Sequence, residues 1–312
     1  MNLVDQLTKR LDQYASQGPF TWVYGLGRSI LALGTFFTLL LNSHNTLFDR
    51  ALFGTTRTQA FIDNFNLFYL FGYDNLIWAK WLCIIILLLV MSGYLIKLTG
   101  ILHWWVAFSF QHSASILDGG DQITMILTLL LIPITLLDDR KNHWYNTSKW
   151  NNPFANFTGN VIVEFLIPLQ MAVIYLHAAV EKLYKVPEWR DGSAVYYFFK
   201  DNLFGYPAWM DPIFDFLFAY PLTMSAFTWG TIFLELVLFG GVFMAYKSRK
   251  WLLPLGIAFH LLIIFVFGLV SFFCAMTGGL VIYCIHKNQS FTWSKFPKWR
   301  RRSTLTTASL PT

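Results

Sequence analysis

Charged residues are scarce in this chain. Only 13% of its 312 residues are Asp, Glu, Lys or Arg, whereas 55% are hydrophobic and 19% are aromatic. Soluble domains typically carry about 25% charged residues, so this composition excludes an ordinary water-soluble protein. Apolar runs of about 20 residues, the length that crosses a bilayer, recur along the chain. The sequence therefore predicts an all-α fold, a polytopic transmembrane helix bundle.

Cysteine and the common catalytic motifs are also scarce or missing. The three cysteines, Cys83, Cys274 and Cys284, lie within apolar runs, which argues against a disulfide framework. The seven His residues form no HExxH motif and no tight cluster, so no metal site is predicted. The sequence has no GxSxG, P-loop or GxGxxG motif and no ordered Ser-His-Asp set. The chemistry must therefore be sought in isolated polar residues of the spans and their loops.

Three regions are predicted along the chain. Residues 1–18 carry apolar side chains at helical spacing, which is typical of an amphipathic helix on the membrane surface. Residues 19–287 form the transmembrane domain, and residues 288–312 form a basic cytoplasmic tail. About eight spans are predicted: Thr21–Leu41, Asn75–Ile96, Gly100–Leu117, Gln122–Leu137, Val161–Leu183, Met224–Ala245, Trp251–Phe267 and Leu269–Ile285. The alternative for residues 251–285 is one span and a re-entrant segment.

The distribution of Lys and Arg predicts the orientation of the chain in the membrane. With both termini in the cytoplasm, most of these residues lie in the inner loops and the tail, and few lie in the outer loops Asn42–Asp74 and Tyr184–Thr223. The net charge of +6 thus indicates orientation rather than binding to nucleic acid. We expect the functional residues on the outer face.

Lys182 is the sharpest candidate for a catalytic residue. It lies at the outer end of the fifth span, where a lysine near a low-dielectric boundary can act as a neutral base or nucleophile. In the alternative, Lys182 extends to the membrane interface or pairs with Glu181 or Glu188. Both possibilities are open on the sequence alone.

Asp118-Gly119-Gly120-Asp121 joins the third and fourth spans on the same predicted face as Lys182. The glycines are expected to permit a tight turn with positive φ, and Asp121 is expected to cap the fourth helix. Capping does not account for Asp118, so the alternative is a pair of carboxylates at the mouth of a pocket. With His112, late in the third span, these two aspartates complete the predicted catalytic group of Lys182.

Two further sets of polar residues are predicted to be structural. Gln170 and His177 share a helix face with Glu181, because their spacings are seven and four residues, and form a polar seam or a proton relay. Arg28 and Glu235 are charges within spans, and each costs a few kcal/mol unless it is paired. An Arg28–Glu235 ion pair is predicted, with Glu164 as the alternative partner of Arg28.

Several motifs of the chain resemble the HTTM domain family, which includes the membrane domain of the vitamin K-dependent gamma-carboxylase. They are Gln170, Tyr175, Lys182-Leu183, Trp189-Arg190-Asp191-Gly192, Thr228-Trp229 with Glu235, and Ala258-Phe259-His260-Leu261. In the carboxylase, a lysine that aligns with Lys182 deprotonates the quinol, and a histidine aligns with His112. Glu181 replaces a lysine of the carboxylase, and its large lumenal domain is absent here, so the carboxylation of glutamate is not expected. The cofactor is unknown, and a quinone- or lipid-sized ligand between spans three, four and five stays open.

A closer set of motifs resembles the sporulation-delaying protein B (SdpB) family over roughly residues 18–287. These motifs are Trp22–Ser29, Gly100–Trp104, Ser109-Phe110-Gln111, Leu117–Gln122, Leu131–Leu136 and Asp191–Phe198. The resemblance implies a role in the maturation of a secreted antimicrobial peptide at a bacterial cell membrane, with an SdpA-like companion protein and an SdpC-like precursor peptide. Trp189, Asp191 and Tyr196 are the expected substrate-binding residues. The alternative is a non-catalytic scaffold, exporter component or immunity protein.

Overall fold

The apolar runs of the sequence form helices in the computed structural model, which describes residues 3–53, 60–145, 152–201 and 205–288. Within these ranges the only β pairing is an isolated bridge between Tyr94 and Asn142, so the predicted all-α class is confirmed. The principal helices are α1 (Leu3–Ser16), α2 (Trp22–Leu41), α3 (Leu76–Ser92), α4 (Ile96–Ser113), α5 (Gly119–Leu137), α6 (Pro153–Lys185), α7 (Pro187–Asp191), α8 (Ala194–Phe199), α9 (Asp211–Phe218), α10 (Pro221–Gly240), α11 (Leu252–Phe267) and α12 (Val270–Cys284). Shorter helices lie at His44–Leu47, Ala60–Phe65, Leu67–Phe71 and Tyr246–Arg249, and single 3₁₀ turns at Tyr73–Asn75, Ala208–Met210 and Gly241–Phe243.

Each of the eight predicted spans coincides with a helix. Among the described residues, six helical stretches are long and apolar enough to cross a membrane: Trp22–Leu41, Tyr73–Ser92, Gly119–Leu137, Pro153–Lys185, Pro221–Phe243 and Tyr246–Phe267. The chain is therefore a membrane protein, and eight is an approximate number of spans. The remaining two segments are α4 and α12. With 15 residues and a rise of about 1.5 Å per residue, α12 is about 22 Å long, less than the hydrocarbon thickness of a bilayer.

The predicted boundary between the second and third spans is wrong by several residues. Helix α3 ends at Ser92 and α4 begins at Ile96. Gly93 and Leu95 both adopt positive φ angles, of 83° and 51°, which reverse the chain within three residues. Because the apolar pattern continues through this tight turn, hydropathy alone does not indicate where the turn lies.

Helix α12 lies at the centre of the bundle, since its side chains from Cys274 to Cys284 are all buried. It packs closely against α2 through small residues. A Cβ atom at Gly27 would lie 2.9 Å from the carbonyl oxygen of Gly278, and a Cβ atom at Gly278 would lie 2.9 Å from that of Gly27. Neither position can carry a side chain without separating the two helices. Because neighbouring helices cover α12, its length need not match the bilayer.

The amino-terminal helix α1 docks on the start of α6. The side-chain amide of Asn160 donates hydrogen bonds to the carbonyl oxygens of Tyr14 and Gln17, both at 2.7 Å. Lys287, just after α12, donates to the amide oxygen of Asn160 at 2.6 Å and pairs with Glu164 at 3.0 Å. This contact joins both ends of the described chain at one end of the bundle. The predicted basic tail, from residue 289 onward, lies outside the described residues.

Candidate functional site

A cavity of about 650 Å³ lies between α6, α10, α11 and α12. Its volume falls within the range of small-molecule sites, about 300–1,000 Å³. Helices α8 and α9, which belong to the predicted outer loop, cover it. Most of its lining is apolar or aromatic, and its ionisable or hydroxyl-bearing side chains are Tyr175, Lys182, Thr231, Glu235 and His260.

The central polar contact of the cavity is an ion pair between Lys182 and Glu235. The Lys182 Nζ atom lies 2.6 Å from Glu235 Oε1, and it also donates a weaker hydrogen bond to the carbonyl oxygen of Ala178 at 3.4 Å. Lys182 exposes 22% of its side chain and Glu235 exposes 7%. The ammonium group further lies 5.2 Å from the ring centre of Trp189, a distance that allows a cation–π contact. Lys182 is therefore held within the protein by its ion pair with Glu235.

The local sequence explains how these side chains meet. Tyr175, Ala178 and Lys182 have helical spacing, so they lie on one face of α6. The chain then turns back at Gly192, which has φ of 89° and donates its backbone N–H to the carbonyl oxygen of Glu188. A Cβ atom at Gly192 would lie only 2.7 Å from the Ser225 hydroxyl oxygen. The Trp-x-x-Gly motif thus needs its glycine for the turn and for close packing on α10.

Two buried polar atoms at this site have no hydrogen-bond partner among the described residues. They are Glu235 Oε2 and His260 Nδ1. The other nitrogen of His260, Nε2, shares a hydrogen bond with the Tyr175 hydroxyl at 3.1 Å. Buried polar atoms are nearly always paired, so two unpaired ones beside a cavity indicate a place where a ligand or water binds.

The predicted pairing of Lys182 with Glu181 or Glu188 is wrong, because Lys182 pairs with Glu235 instead. Glu181 faces away from the cavity and binds Lys185 and His177 on an exposed surface of α6. His177 exposes 69% of its side chain, so it does not take part in the predicted polar seam between helices. Gln170 is only half-buried, on the same helix.

Asp118 and Asp121 form a capping box at the start of α5. Asp118 is the N-cap residue, and its carboxylate accepts a hydrogen bond from the Gly120 backbone N–H at 2.7 Å. Asp121 accepts one in return from the Asp118 backbone N–H at 3.1 Å. The Ser271 hydroxyl also donates to Asp118. Helix capping therefore accounts for both aspartates, whereas the sequence alone leaves Asp118 unexplained.

The predicted positive φ angles of Gly119 and Gly120 are wrong, since both residues lie in the first turn of α5. Gly120 is needed for a different reason. A Cβ atom there would lie 2.6 Å from the backbone nitrogen of Phe272, so the start of α5 touches the main chain of α12. The motif is thus explained by the close approach of two helices.

Lys182 and the predicted acidic pair do not line a common cavity. Gly119 lines a second cavity of about 510 Å³, which shares Phe198, Ile263, Phe267 and Phe272 with the first. His112 is exposed, and its Nδ1 atom bonds the carbonyl oxygen of Phe108 within α4. Of the four predicted catalytic residues, only Lys182 lies at the main cavity.

The three predicted substrate-binding residues do not lie at one site. Trp189 is buried and lines the cavity beside Lys182. Asp191 is exposed, and it accepts hydrogen bonds from the backbone N–H and hydroxyl of Ser193, which hold the pKa of Asp191 below its usual range. Tyr196 is also exposed and contacts Tyr197 and Phe218. Asp191 therefore stabilises the turn between α7 and α8 and does not face the cavity.

The predicted Arg28–Glu235 pair is wrong, because α2 packs against α12 and α3 whereas α10 packs against α6. Arg28 is buried and donates to Thr99 Oγ1 at 2.7 Å, and it lies 3.4 Å from His143 Nδ1. The alternative partner, Glu164, binds Lys287. Burial, followed by the neighbouring arginines, lowers the pKa of His143 to about 3, so its ring stays neutral beside Arg28.

Tyr175 and His260 are site residues that the sequence does not single out for chemistry. Both belong to the motifs shared with the HTTM family, and Tyr175 lies seven residues before Lys182 on the same helix face. That spacing could have placed Tyr175 beside Lys182. The contact with His260 depends on how α11 packs against α6, which no local pattern specifies.

Two proteins of Bacillus subtilis (strain 168) are similar to this chain over nearly its whole length. Uncharacterized protein YitO is 34% identical over 309 residues, which cover 96% of this chain and 97% of YitO. Sporulation-delaying protein SdpB is 35% identical over 299 residues, which cover 94% of this chain and 90% of SdpB. No family model and no solved structure matches the chain. The resemblance to the HTTM family therefore stays a prediction.

Proposed function

Because this chain belongs to the family of the sporulation-delaying protein SdpB, we propose that it takes part in producing a secreted antimicrobial peptide toxin. In this proposal it acts on an exported, SdpC-like precursor together with an SdpA-like companion protein. Sequence identity of 35% over 94% of the chain supports a shared role within the pathway.

The proposed site of this activity is the cavity around Lys182 and Glu235. The observation that carries it is a lysine ion-paired at 2.6 Å inside an otherwise apolar cavity, beside two buried polar atoms that lack partners among the described residues. Ionisable side chains within membrane spans are costly and generally mark functional sites. In this proposal, Lys182 and Trp189 engage the substrate, Glu235 positions the lysine, and His260 and Tyr175 complete the polar end of the site.

The protein is proposed to lie in the bacterial cell membrane with both termini in the cytoplasm. The excess of Lys and Arg in the predicted inner loops supports this orientation. The covering helices α8 and α9 then belong to the outer face, where an exported precursor would arrive. Tyr24, near the start of α2, contacts Asp138, at the end of α5. In the predicted order of spans, both of these helix ends lie on the cytoplasmic side, so the contact supports that order.

The experiment that tests the proposed function is intact-mass analysis of the secreted peptide. The cognate precursor and companion protein are expressed with and without this chain, and the medium is analysed for the precursor and for the mature toxin. The proposal expects mature toxin only when the chain is present. Equal amounts of mature toxin in both cultures would reject it.

A non-catalytic scaffold is the second candidate, and the apolar character of the cavity lining favours it, because such a surface suits peptide binding without chemistry. The two candidates differ in what Lys182→Gln does. A scaffold would lose affinity for the precursor in proportion to the lost maturation. A catalytic role would reduce maturation far more than it reduces precursor binding, and both quantities are measurable by co-purification and mass spectrometry.

A further inference from the structure

The main cavity has a mouth on its side. Helices α10 and α11 touch near the predicted inner face, where a Cβ atom at Gly256 would lie 3.4 Å from Leu238 and one at Gly241 would lie 2.6 Å from Leu252. Beyond that contact, residues of both helices line the cavity. The space between them therefore leads from the cavity toward the lipid-facing surface of the bundle.

Residues at this mouth line the cavity and are exposed at the same time. Phe227 of α10 exposes 41% of its surface and Leu262 of α11 exposes 59%. Gly230 is also exposed, and a Cβ atom at this glycine would meet no atom within 4 Å. Toward the predicted outer face, α8 and α9 cover the cavity, and Phe199, Phe214 and Phe218 of these helices form an aromatic cluster with Tyr206 and Phe267. The cavity-lining Phe198 and Ile213 are exposed on this cover. The lateral mouth is thus an exposed route that does not require these helices to move.

The two charged side chains of the cavity restrict what can bind. Lys182 and Glu235 neutralise each other, so a charged ligand group would remain uncompensated in an apolar cavity. No described residue donates a hydrogen bond to Glu235 Oε2. The Lys182 ammonium group has three N–H donors, and two of them are used by the carbonyl oxygen of Ala178 and by Glu235 Oε1. One N–H of Lys182 is left for a ligand. The site therefore fits a group that is neutral, donates one hydrogen bond and accepts another. A backbone peptide unit between apolar side chains has these properties.

From these observations we propose that the cavity receives an uncharged, apolar segment of the peptide substrate, which enters sideways from the bilayer between α10 and α11. The identification of the occupant as a peptide rests on the proposed function, whereas the lateral mouth and the need for a neutral donor rest on the geometry. The peptide N–H donates to Glu235 Oε2, and the neighbouring carbonyl oxygen accepts from Lys182.

Two glycines of α10 provide a matched test of the route. A Cβ atom at either Gly230 or Gly240 would meet no atom within 4 Å, but only Gly230 lines the cavity. Leu at either position suits a helix better than Gly, so both variants are expected to insert and fold. The proposal expects Gly230→Leu to lower the yield of mature toxin at least tenfold and Gly240→Leu to leave it unchanged.

The occupant is identified by cross-linking from the mouth. A photoreactive phenylalanine analogue replaces Leu262 in one variant and Leu255 in another, since both are exposed on α11 but only Leu262 lines the cavity. The proposal expects a cross-link to the precursor peptide from position 262 and none from position 255. Exclusive cross-linking of position 262 to lipid would overturn the peptide assignment.

The outcomes separate this inference from the proposed function. Normal maturation in Gly230→Leu, together with loss of maturation when the whole chain is omitted, would reject the lateral route and leave the proposed function standing. Normal maturation without the chain would reject the proposed function itself. Equal loss in Gly230→Leu and Gly240→Leu at matched membrane levels would also reject the route, because the effect would not depend on the mouth.

Discussion

The ion pair between Lys182 and Glu235 gives the sharpest prediction about stability. Replacing Lys182 by Met leaves the Glu235 carboxylate, which exposes only 7% of its side chain, without a hydrogen-bond donor among the described residues. Breaking a buried ion pair in this way costs about 3–5 kcal/mol. Because the remaining lysine could move its more exposed ammonium group toward water, Glu235→Leu is expected to cost less, about 1–3 kcal/mol.

Removing both charges should restore most of the lost stability. The double variant Lys182→Met/Glu235→Leu is expected to unfold within about 1 kcal/mol of the wild type, since no unpaired charge remains. Lys185→Met is the matched control, because Lys185 pairs with Glu181 on the exposed face of the same helix and should contribute little to stability.

The assay is the free energy of unfolding of the four variants and the wild type in the same mild detergent. With these values, a double-mutant cycle yields a coupling energy of at least about 3 kcal/mol between Lys182 and Glu235. Strictly additive losses, or a Lys182→Met variant as stable as Lys185→Met, would show that the two side chains do not form a sheltered pair.

Three further predictions concern residues outside the cavity. The unfolded chain protonates His143 below about pH 6.5, whereas the folded chain keeps it neutral down to about pH 3, so stability should fall as the pH drops. Between pH 7 and pH 5 the wild type should lose up to about 2 kcal/mol more than His143→Gln, measured by unfolding at each pH; equal slopes would contradict this. Gly120→Ala should destabilise the protein by about 2 kcal/mol, whereas Gly119→Ala, whose Cβ atom would lie 3.5 Å from its nearest neighbour, should be nearly neutral in thermal melts. Asp118→Ala should lower the stability by about 1 kcal/mol, because the helix cap is lost. Asp118→Ser can still cap the helix and should retain both stability and toxin maturation. Loss of maturation in a stable Asp118→Ser variant would indicate a chemical role.

The positions of the helices could be predicted from the sequence because they depend on local composition. Each apolar run of about 20 residues forms a helix, and the predicted span Leu269–Ile285 corresponds to α12. The sequence could not show that α12 is the central helix of the bundle. Its burial depends on close approaches such as that of Gly27 and Gly278, which lie far apart in the chain.

The candidate site could be predicted only in part. Lys182 and Trp189 can be identified because an ionisable residue in a span and a conspicuous Trp-x-x-Gly motif are visible locally. The sequence indicates that Arg28 and Glu235 each need partners, but it cannot assign them. Partners depend on which helices are neighbours and how each is rotated, and here Glu235 faces α6 while Arg28 faces Thr99 and His143.

Lys182 is the residue that links the cavity to peptide maturation in the proposed function. The most direct measurement is the intact mass of the secreted peptide in cells that carry Lys182→Ala or Lys185→Ala at matched membrane levels. Both substitutions remove a lysine from α6, but only Lys182 lines the cavity. We predict that mature toxin disappears with Lys182→Ala and persists with Lys185→Ala; unchanged maturation in the Lys182→Ala strain would contradict this role of the cavity.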